Sequence, residues 1–186
     1  MNYPSNIKKN YKKLVSYSNR GIDLENLINI TNEKYIEKDI AIIYKKATPI
    51  QVVKYDYDKN RITDAFYKCA STLDYNGIYK GYYIEFDAKN TNKKYFPLNN
   101  IADHQLEHIK RIIKHKGIVF LLIMICDECY ILDGNDLIDF INHETRKSIP
   151  YDYIKDKGIL LEYNYLNGVN YIVGVDKLIK ELYEKD

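Results

Sequence analysis

Two aspartates and a lysine stand where a β-hairpin would bring them together. The stretch Ser71-Thr72-Leu73-Asp74-Tyr75-Asn76-Gly77-Ile78-Tyr79-Lys80-Gly81-Tyr82-Tyr83-Ile84-Glu85-Phe86-Asp87-Ala88-Lys89 carries β-formers on both sides of Lys80-Gly81, and a two-residue turn there makes the flanks an antiparallel pair. Tyr79 then faces Tyr82, and counting outward sets Asp74 opposite Asp87 and Thr72 opposite Lys89. Side chains alternate along a strand, so these four project from one face, with facing α-carbons about 4.5–5.5 Å apart. Two carboxylates at ~4 Å and an effective dielectric of ~20 repel by about 4 kcal/mol, so the pair must shift its pKa or take up a cation. A hard divalent ion such as Mg²⁺ accepts two carboxylates together with waters and phosphate oxygens. The adjacent Lys89 ammonium can hold a water nucleophile or offset charge that builds on phosphorus. The hairpin reads as a phosphodiester-cleaving site.

A rival register turns at Asn76-Gly77, the stronger dipeptide signal, which pairs Asp74 with Tyr79 and leaves the carboxylates apart. The plainest alternative is an ordinary hairpin with a solvated, charged outer face. The elements around it read as follows. Asp23 caps a first helix in which Leu24, Leu27, Ile28 and Tyr35 recur at helical spacing, with Glu25 in the first turn where the macrodipole favours an acid. Strands follow at 41–44 and 50–55. Between Asp56 and Tyr67 the hydrophobic periodicity lapses, which marks a surface loop or a functional projection. A helix over 103–115 buries Leu106, Ile109 and Ile113, with Gln105 on a flank that still looks inward and His104, His108, Arg111 and His115 on a more polar face. Strands are expected at 117–125, 130–132, 159–163 and 171–175, a short helix capped by Asn135, a turn or helix between Pro150 and Gly158, and a terminal helix from about Asp176. Helices interspersed with hairpin-joined strands give an α/β domain with a mixed central sheet.

Seven words follow one another along the chain: Asn19-Arg20-Gly21, Lys45-Lys46-Ala47-Thr48-Pro49-Ile50-Gln51, Thr72-Leu73-Asp74-Tyr75-Asn76-Gly77, Phe86-Asp87-Ala88-Lys89, Phe96-Pro97-Leu98, His104-Gln105-Leu106-Glu107-His108 and Lys147-Ser148-Ile149-Pro150. In this order they resemble the RecU-type Holliday junction resolvases of the PD-(D/E)xK nuclease superfamily. The resemblance runs from about Asn19 to the end of the chain. It implies a restriction-endonuclease-like core with helices flanking the sheet and a stalk inserted at about 56–67, which would enter the centre of a four-way DNA junction. It implies Mg²⁺, with Mn²⁺ able to substitute, held by Thr72, Asp74, Asp87 and Gln105, with Glu25 as a secondary candidate. Lys89, Asp74 and Asp87 become the catalytic residues, and Arg20, Lys45, Lys46, Lys54, Lys59, Arg61 and Lys68 the DNA contacts. A homodimer follows from the need for two symmetric nicks, and RecA recombinase is a further implied partner. The resemblance departs at Asp87, where the family commonly carries the longer Glu, and in a stalk a few residues shorter. A junction-binding protein with impaired cleavage is therefore the main alternative.

Composition sets the outer bounds. A chain of 186 residues with 46% hydrophobic and 29% charged residues suits one folded domain, here 19–186, behind a flexible basic arm at 1–18. Net charge is only +2, but Lys8, Lys9, Lys12, Lys13 and Arg20 stand without an acid in the first twenty residues, and such an arm fits phosphate contact. No apolar run reaches membrane length and no secretory leader is evident, so a soluble cytoplasmic protein is expected. Three cysteines are too few for a disulfide framework. Cys126 and Cys129 read as the end of a hairpin turning at Asp127-Glu128 rather than a metal or redox pair. His104-Gln105-Leu106-Glu107-His108 also matches the H-x-x-E-H zinc-peptidase signature, a remote alternative because two ligands one helical turn apart arise easily by chance.

Overall fold

The computed structural model describes residues 23–183; the basic arm, Arg20 and the Asn19-Arg20-Gly21 word lie outside them. The chain begins with α1 (Leu24–Glu37), β1 (Ile42–Lys45), β2 (Ile50–Asp56), β3 (Arg61–Tyr67), β4 (Tyr75–Tyr79) and β5 (Tyr82–Thr91). It continues with β6 (Tyr95–Pro97), α2 (Asp103–Lys114), β7 (Ile118–Ile125), β8 (Glu128–Asp133), α3 (Gly134–His143), β9 (Ser148–Pro150) and α4 (Tyr151–Lys157). Last come β10 (Ile159–Leu161), β11 (Tyr163–Asn164), β12 (Gly168–Val169) and α5 (Ile172–Tyr183). Six strands form one sheet in the order β1-β4-β5-β7-β8-β10. Only the β5–β7 pair is parallel, joined through α2, and the other neighbours are antiparallel. This is the expected mixed α/β architecture.

β7 explains why the sheet has a core on each side. All eight of its residues are buried, and they divide by parity. Ile118, Phe120, Leu122 and Met124 join residues of α1 and α5 on one face, while Val119, Leu121, Ile123 and Ile125 join α2, α3 and α4 on the other. A strand covered on both faces shows no polar alternation, which is why its sequence is one apolar run. β5 lies beside it with Glu85 opposite Val119 and Asp87 opposite Leu121. Ile84 and Phe86 therefore face α1, and the charged alternates face the α2 side. Under the charged row, on the reverse face, Tyr75 stacks on Phe86 at 4.9 Å and Phe86 on Phe120 at 4.8 Å. Such ring pairs contribute about 0.5–1.5 kcal/mol each beyond their burial, and they tie β4, β5 and β7 together directly behind the carboxylates.

The hairpin turns at Lys80-Gly81, where both residues have positive φ, 50° and 85°, as a tight hairpin with right-handed strand twist requires. Tyr79 faces Tyr82 and Tyr75 faces Phe86. Asn76-Gly77 lies inside β4, and Gly77 has a different reason to be glycine. A β-carbon there would sit 2.0 Å from the Ile42 carbonyl oxygen and 2.6 Å from the Ile43 α-carbon, because the β1 backbone crosses against it.

Five expectations need correcting. The segment 56–67 is not a loop without periodicity, since β2 and β3 pair as an isolated two-stranded hairpin over 50–67. All of its strand residues are exposed except the half-buried Asp56; with neither face covered, no burial pattern is imposed on the sequence. Residues 172–175 are helical rather than a strand, because Ile172, Val175, Leu178 and Ile179 bury one helical face in the first core and tertiary burial outweighs the β-propensity of Tyr-Ile-Val. The strand expected over 159–163 stops at Leu161 and the chain enters the small β11–β12 hairpin. Finally, the cysteine hairpin turns one residue earlier, at Cys126-Asp127, both with positive φ, and the short helix α3 takes Asp133 rather than Asn135 as its cap. No helix among the described residues is long and apolar enough to cross a membrane.

Gly77→Ala tests the close approach. The clash is with backbone, which cannot rotate away, so the substitution should cost about 3 kcal/mol or more. Urea unfolding followed by circular dichroism measures it; a cost under 1 kcal/mol would mean that β1 does not lie against Gly77.

Candidate active site

The ladder between β4 and β5 ends at Tyr75–Phe86, and one residue beyond it the two aspartates meet as the register requires. Asp87 is wholly buried. Its acid is pushed up to about 7, first by burial and next by the Asp74 carboxylate beside it, against the lowering effect of Lys89. Lys89 places its ammonium 2.7 Å from Asp87 Oδ2. The Gln105 side chain, arriving from α2, donates from Nε2 to the same oxygen at 3.0 Å and to the Thr72 carbonyl at 2.9 Å. Asp87 Oδ1 is buried and, among the described residues, has no hydrogen-bond partner. A buried carboxylate oxygen left unpaired beside a second carboxylate is a costly arrangement in the protein alone.

Thr72 does not continue the ladder to face Lys89. Its hydroxyl accepts a hydrogen bond from the Lys46 ammonium and donates to Glu85 Oε1 at 3.3 Å. Gln105 reaches Asp87 with its nitrogen, because Oε1 accepts from the Ala102 amide at 3.1 Å at the start of α2. Asp74, Asp87, Lys89, Gln105 and Thr72 are thus gathered at one place. Glu25 stands at its margin, where its carboxylate is ion-paired with Lys45 and its backbone carbonyl is 3.5 Å from the Tyr75 hydroxyl. The Lys45 ammonium is held above its ordinary pKa by its hydrogen bond to Glu25, with the Asp74 charge contributing.

Sequence reasoning missed Glu85. Only 1% of it is exposed, yet it collects the Lys46 ammonium at 2.7 Å, His108 Nε2 at 2.9 Å, the Tyr83 hydroxyl and the Thr72 hydroxyl. Burial alone would push its acid up; the hydrogen bonds from Lys46, Tyr83 and His108 outweigh burial and hold it below the usual range. The available signal was strand parity, which puts residues 85, 87 and 89 on one face of β5. The remaining basic candidates lie on or beside the β2–β3 hairpin: Lys54 in β2, Lys59 in the turn, Arg61 in β3 and Lys68 just after it.

The H-x-x-E-H histidines diverge. His104 Nε2 meets the Ser71 carbonyl at 2.9 Å and His108 meets Glu85, while Glu107 pairs with Lys110 on the surface. Among the described residues no three of His, Cys, Asp and Glu converge as a metal cage. Cys126 is exposed and Cys129 buried.

A family model described as "RecU: Recombination protein U" matches residues 19–177. The Holliday junction resolvase RecU of Oceanobacillus iheyensis is 46% identical over 194 residues, spanning 96% of this chain and 99% of that one. Its counterpart in Streptococcus gordonii is 40% identical over 190 residues, 95% of each chain. A looser likeness in structure is to the Archaeoglobus fulgidus Hjc Holliday junction resolvase, with a TM-score of 0.43 at 9% identity over 72% of this chain and 94% of that chain.

The raised acid has a consequence for stability. Asp87 carries a folded-state pKa of about 7 against 3.8 for the unperturbed group. The folded chain therefore holds more protons than the unfolded chain between these values, and stability contributed here is lost as pH rises from about 4 to about 7. In cation-free buffer Asp87→Asn should remove that slope and stabilise the protein at pH 8. Urea melts across the pH range check it; an unchanged slope would mean that Asp87 ionises normally.

Proposed function

The chain belongs to the Recombination protein U family, and we propose that it resolves four-way DNA junctions by metal-dependent hydrolysis of phosphodiester bonds at the Asp74–Asp87 site. The observation that carries this reading is the unpartnered, buried Asp87 Oδ1 beside the Asp74 carboxylate. Hard oxygens left facing one another fit a divalent cation of the Mg²⁺ class. In this reading Asp74 and Asp87 hold Mg²⁺ or Mn²⁺, with Thr72 next to them, and Gln105 braces Asp87 rather than offering its own oxygen, which the Ala102 amide occupies. When bound, the ion supplies charge stabilisation at phosphorus and lowers the pKa of a bound water.

The chain's own residues do the rest. Lys89, held by Asp87, orients the attacking water or offsets charge developing in the transition state. Gln105 keeps Oδ2 of Asp87 occupied and so directs Oδ1 toward the cation. The exposed β2–β3 hairpin, bearing Lys54, Lys59 and Arg61 among Tyr55, Tyr57 and Phe66, has the make-up of a surface that contacts phosphates and unstacked bases. It is the stalk of this reading. Symmetric cutting calls for two such sites, and a homodimer is supported by an exposed apolar row across three strands. Ile42 pairs with Ile78 and Ile78 with Tyr83, and all three are exposed, as is Tyr44.

Incubating the chain with a mobile four-way junction and Mg²⁺ or Mn²⁺ tests the reading. Asp74→Ala and Lys89→Ala should each lower the nicking rate by at least ~10²-fold while gel-shift affinity for the junction persists. Junction binding without nicking by the parent chain would overturn the nuclease and leave a binding protein. In the stalk, Lys59→Ala with Arg61→Ala should weaken junction binding and reduce its salt slope by roughly one for each phosphate no longer neutralised; an unaltered slope would remove the hairpin from the interface.

A further inference from the structure

Glu85 lies outside the catalytic set, yet among the described residues it is the carboxylate on which the most side chains converge. It sits two residues before Asp87 on the same face of β5, and it receives donors from four different segments. Lys46 comes from the residue after β1, Thr72 from the loop before β4, Tyr83 from β5 itself and His108 from α2. A buried carboxylate needs such donors to remain ionised, but this set does more than neutralise it. The Lys46 side chain is one-quarter exposed. Its ammonium has three N–H groups, and the described residues account for two of them, on Glu85 and on the Thr72 hydroxyl. Among the described residues nothing takes the third, and the ammonium lies where solvent reaches it.

The place where that ammonium is held is specific. The Lys46 backbone amide donates to the Asp74 carbonyl at 2.7 Å, and the Thr72 carbonyl is tied through Gln105 to Asp87. The cation is therefore fixed to the frame that carries both aspartates. A lysine on a flexible stem would normally lose much rotamer freedom on contacting a phosphate. Here the loss is already incurred in the folded chain, and His108 and Tyr83 keep Glu85 from following the lysine outward.

We propose that Glu85 is a positioning residue for the nuclease, locking the Lys46 ammonium at the rim of the Asp74–Asp87 site as a fixed seat for a DNA backbone phosphate next to the one being cut. The proposal rests on the nuclease reading above and adds to it a residue that acts through another. Glu85 itself, being an anion, does not touch DNA. Removing its charge frees Lys46 without removing it, so the cut strand loses alignment while the site's attraction for DNA does not fall. That separates Glu85 from an ordinary phosphate-binding residue, whose removal weakens binding.

Single-turnover nicking at saturating enzyme, beside equilibrium binding of the same junction in Ca²⁺, tests it. Glu85→Gln should lower the nicking rate about tenfold or more with junction affinity unchanged or tighter. His108→Ala, which removes one support of Glu85 from a helix position where alanine is well tolerated, should give a smaller loss of the same kind and keeps the test usable if Glu85→Gln unfolds. In a Lys46→Gln background both losses should shrink to about twofold or less, because the residue they act through is gone. Parental nicking by Glu85→Gln or by Lys46→Gln, loss of binding in proportion to rate, or undiminished losses in the Lys46→Gln background would each overturn the proposal. A parent chain that nicks no junction would instead overturn the nuclease reading, and this inference with it.

Discussion

Two carboxylates that meet away from water repel each other, and the surrounding structure must hold them there against that repulsion. Neither Asp74 nor Asp87 gains stability from the encounter. What keeps β4 and β5 in the register that joins them is elsewhere: the positive-φ turn at Lys80-Gly81, the ladder from Tyr79–Tyr82 to Tyr75–Phe86, and the ring stack of Tyr75, Phe86 and Phe120 on the reverse face. The strain sits on one side of a strand whose other side is among the best packed parts of the molecule. A poorly satisfied cluster held in place by packing elsewhere is the familiar exchange of stability for function.

Glu85 and Asp87 show how far environment decides the behaviour of an acid. They are two residues apart on one face of one strand, and burial pushes both upward. Glu85 meets Lys46, Tyr83 and His108, and ends below the usual range. Asp87 meets Lys89 but also Asp74, and ends near 7. One is a settled anion that organises the donors around it, and the other a crowded acid whose ionisation is disfavoured. The β5 strand can carry both because its parallel pairing with the wholly buried β7 runs unbroken from Ile84 to Thr91.

The hairpin register was legible from residues 71–89, since the turn chemistry and the alternation of Glu85, Asp87 and Lys89 with Ile84, Phe86 and Ala88 are local. The meeting of Asp74 with Asp87 followed from counting. What local reasoning lacked was the third dimension. The Asn76-Gly77 pair reads as a turn because the β1 backbone that explains Gly77, at Ile42 and Ile43, lies far away in sequence. The ladder's end at Tyr75 could not be read either, so Thr72 was set opposite Lys89 when its hydroxyl turns to Glu85 and Lys46. Glu85 itself was passed over because its partners Lys46 and His108 come from other elements. The helix at 172–183 was obscured by β-branched residues whose helical face becomes visible only once the first core is known.

The short acid at position 87 is best understood through its two oxygens. The family resemblance favours Glu there, and a side chain one methylene shorter sets its carboxylate deeper against the strand, by about an ångström, where a metal ligand is least tolerant of displacement. In this chain both available donors, the Lys89 ammonium and the Gln105 amide, fall on Oδ2. Among the described residues Oδ1 has no donor, on a group whose neighbour is Asp74. Had the donors been shared, a cation would have met a competing hydrogen bond on either oxygen. With both on one oxygen, the loss of reach costs position but not valence. Gln105, whose own oxygen is occupied at the start of α2, acts as a brace for Asp87, which makes the α2 helix part of the site's geometry.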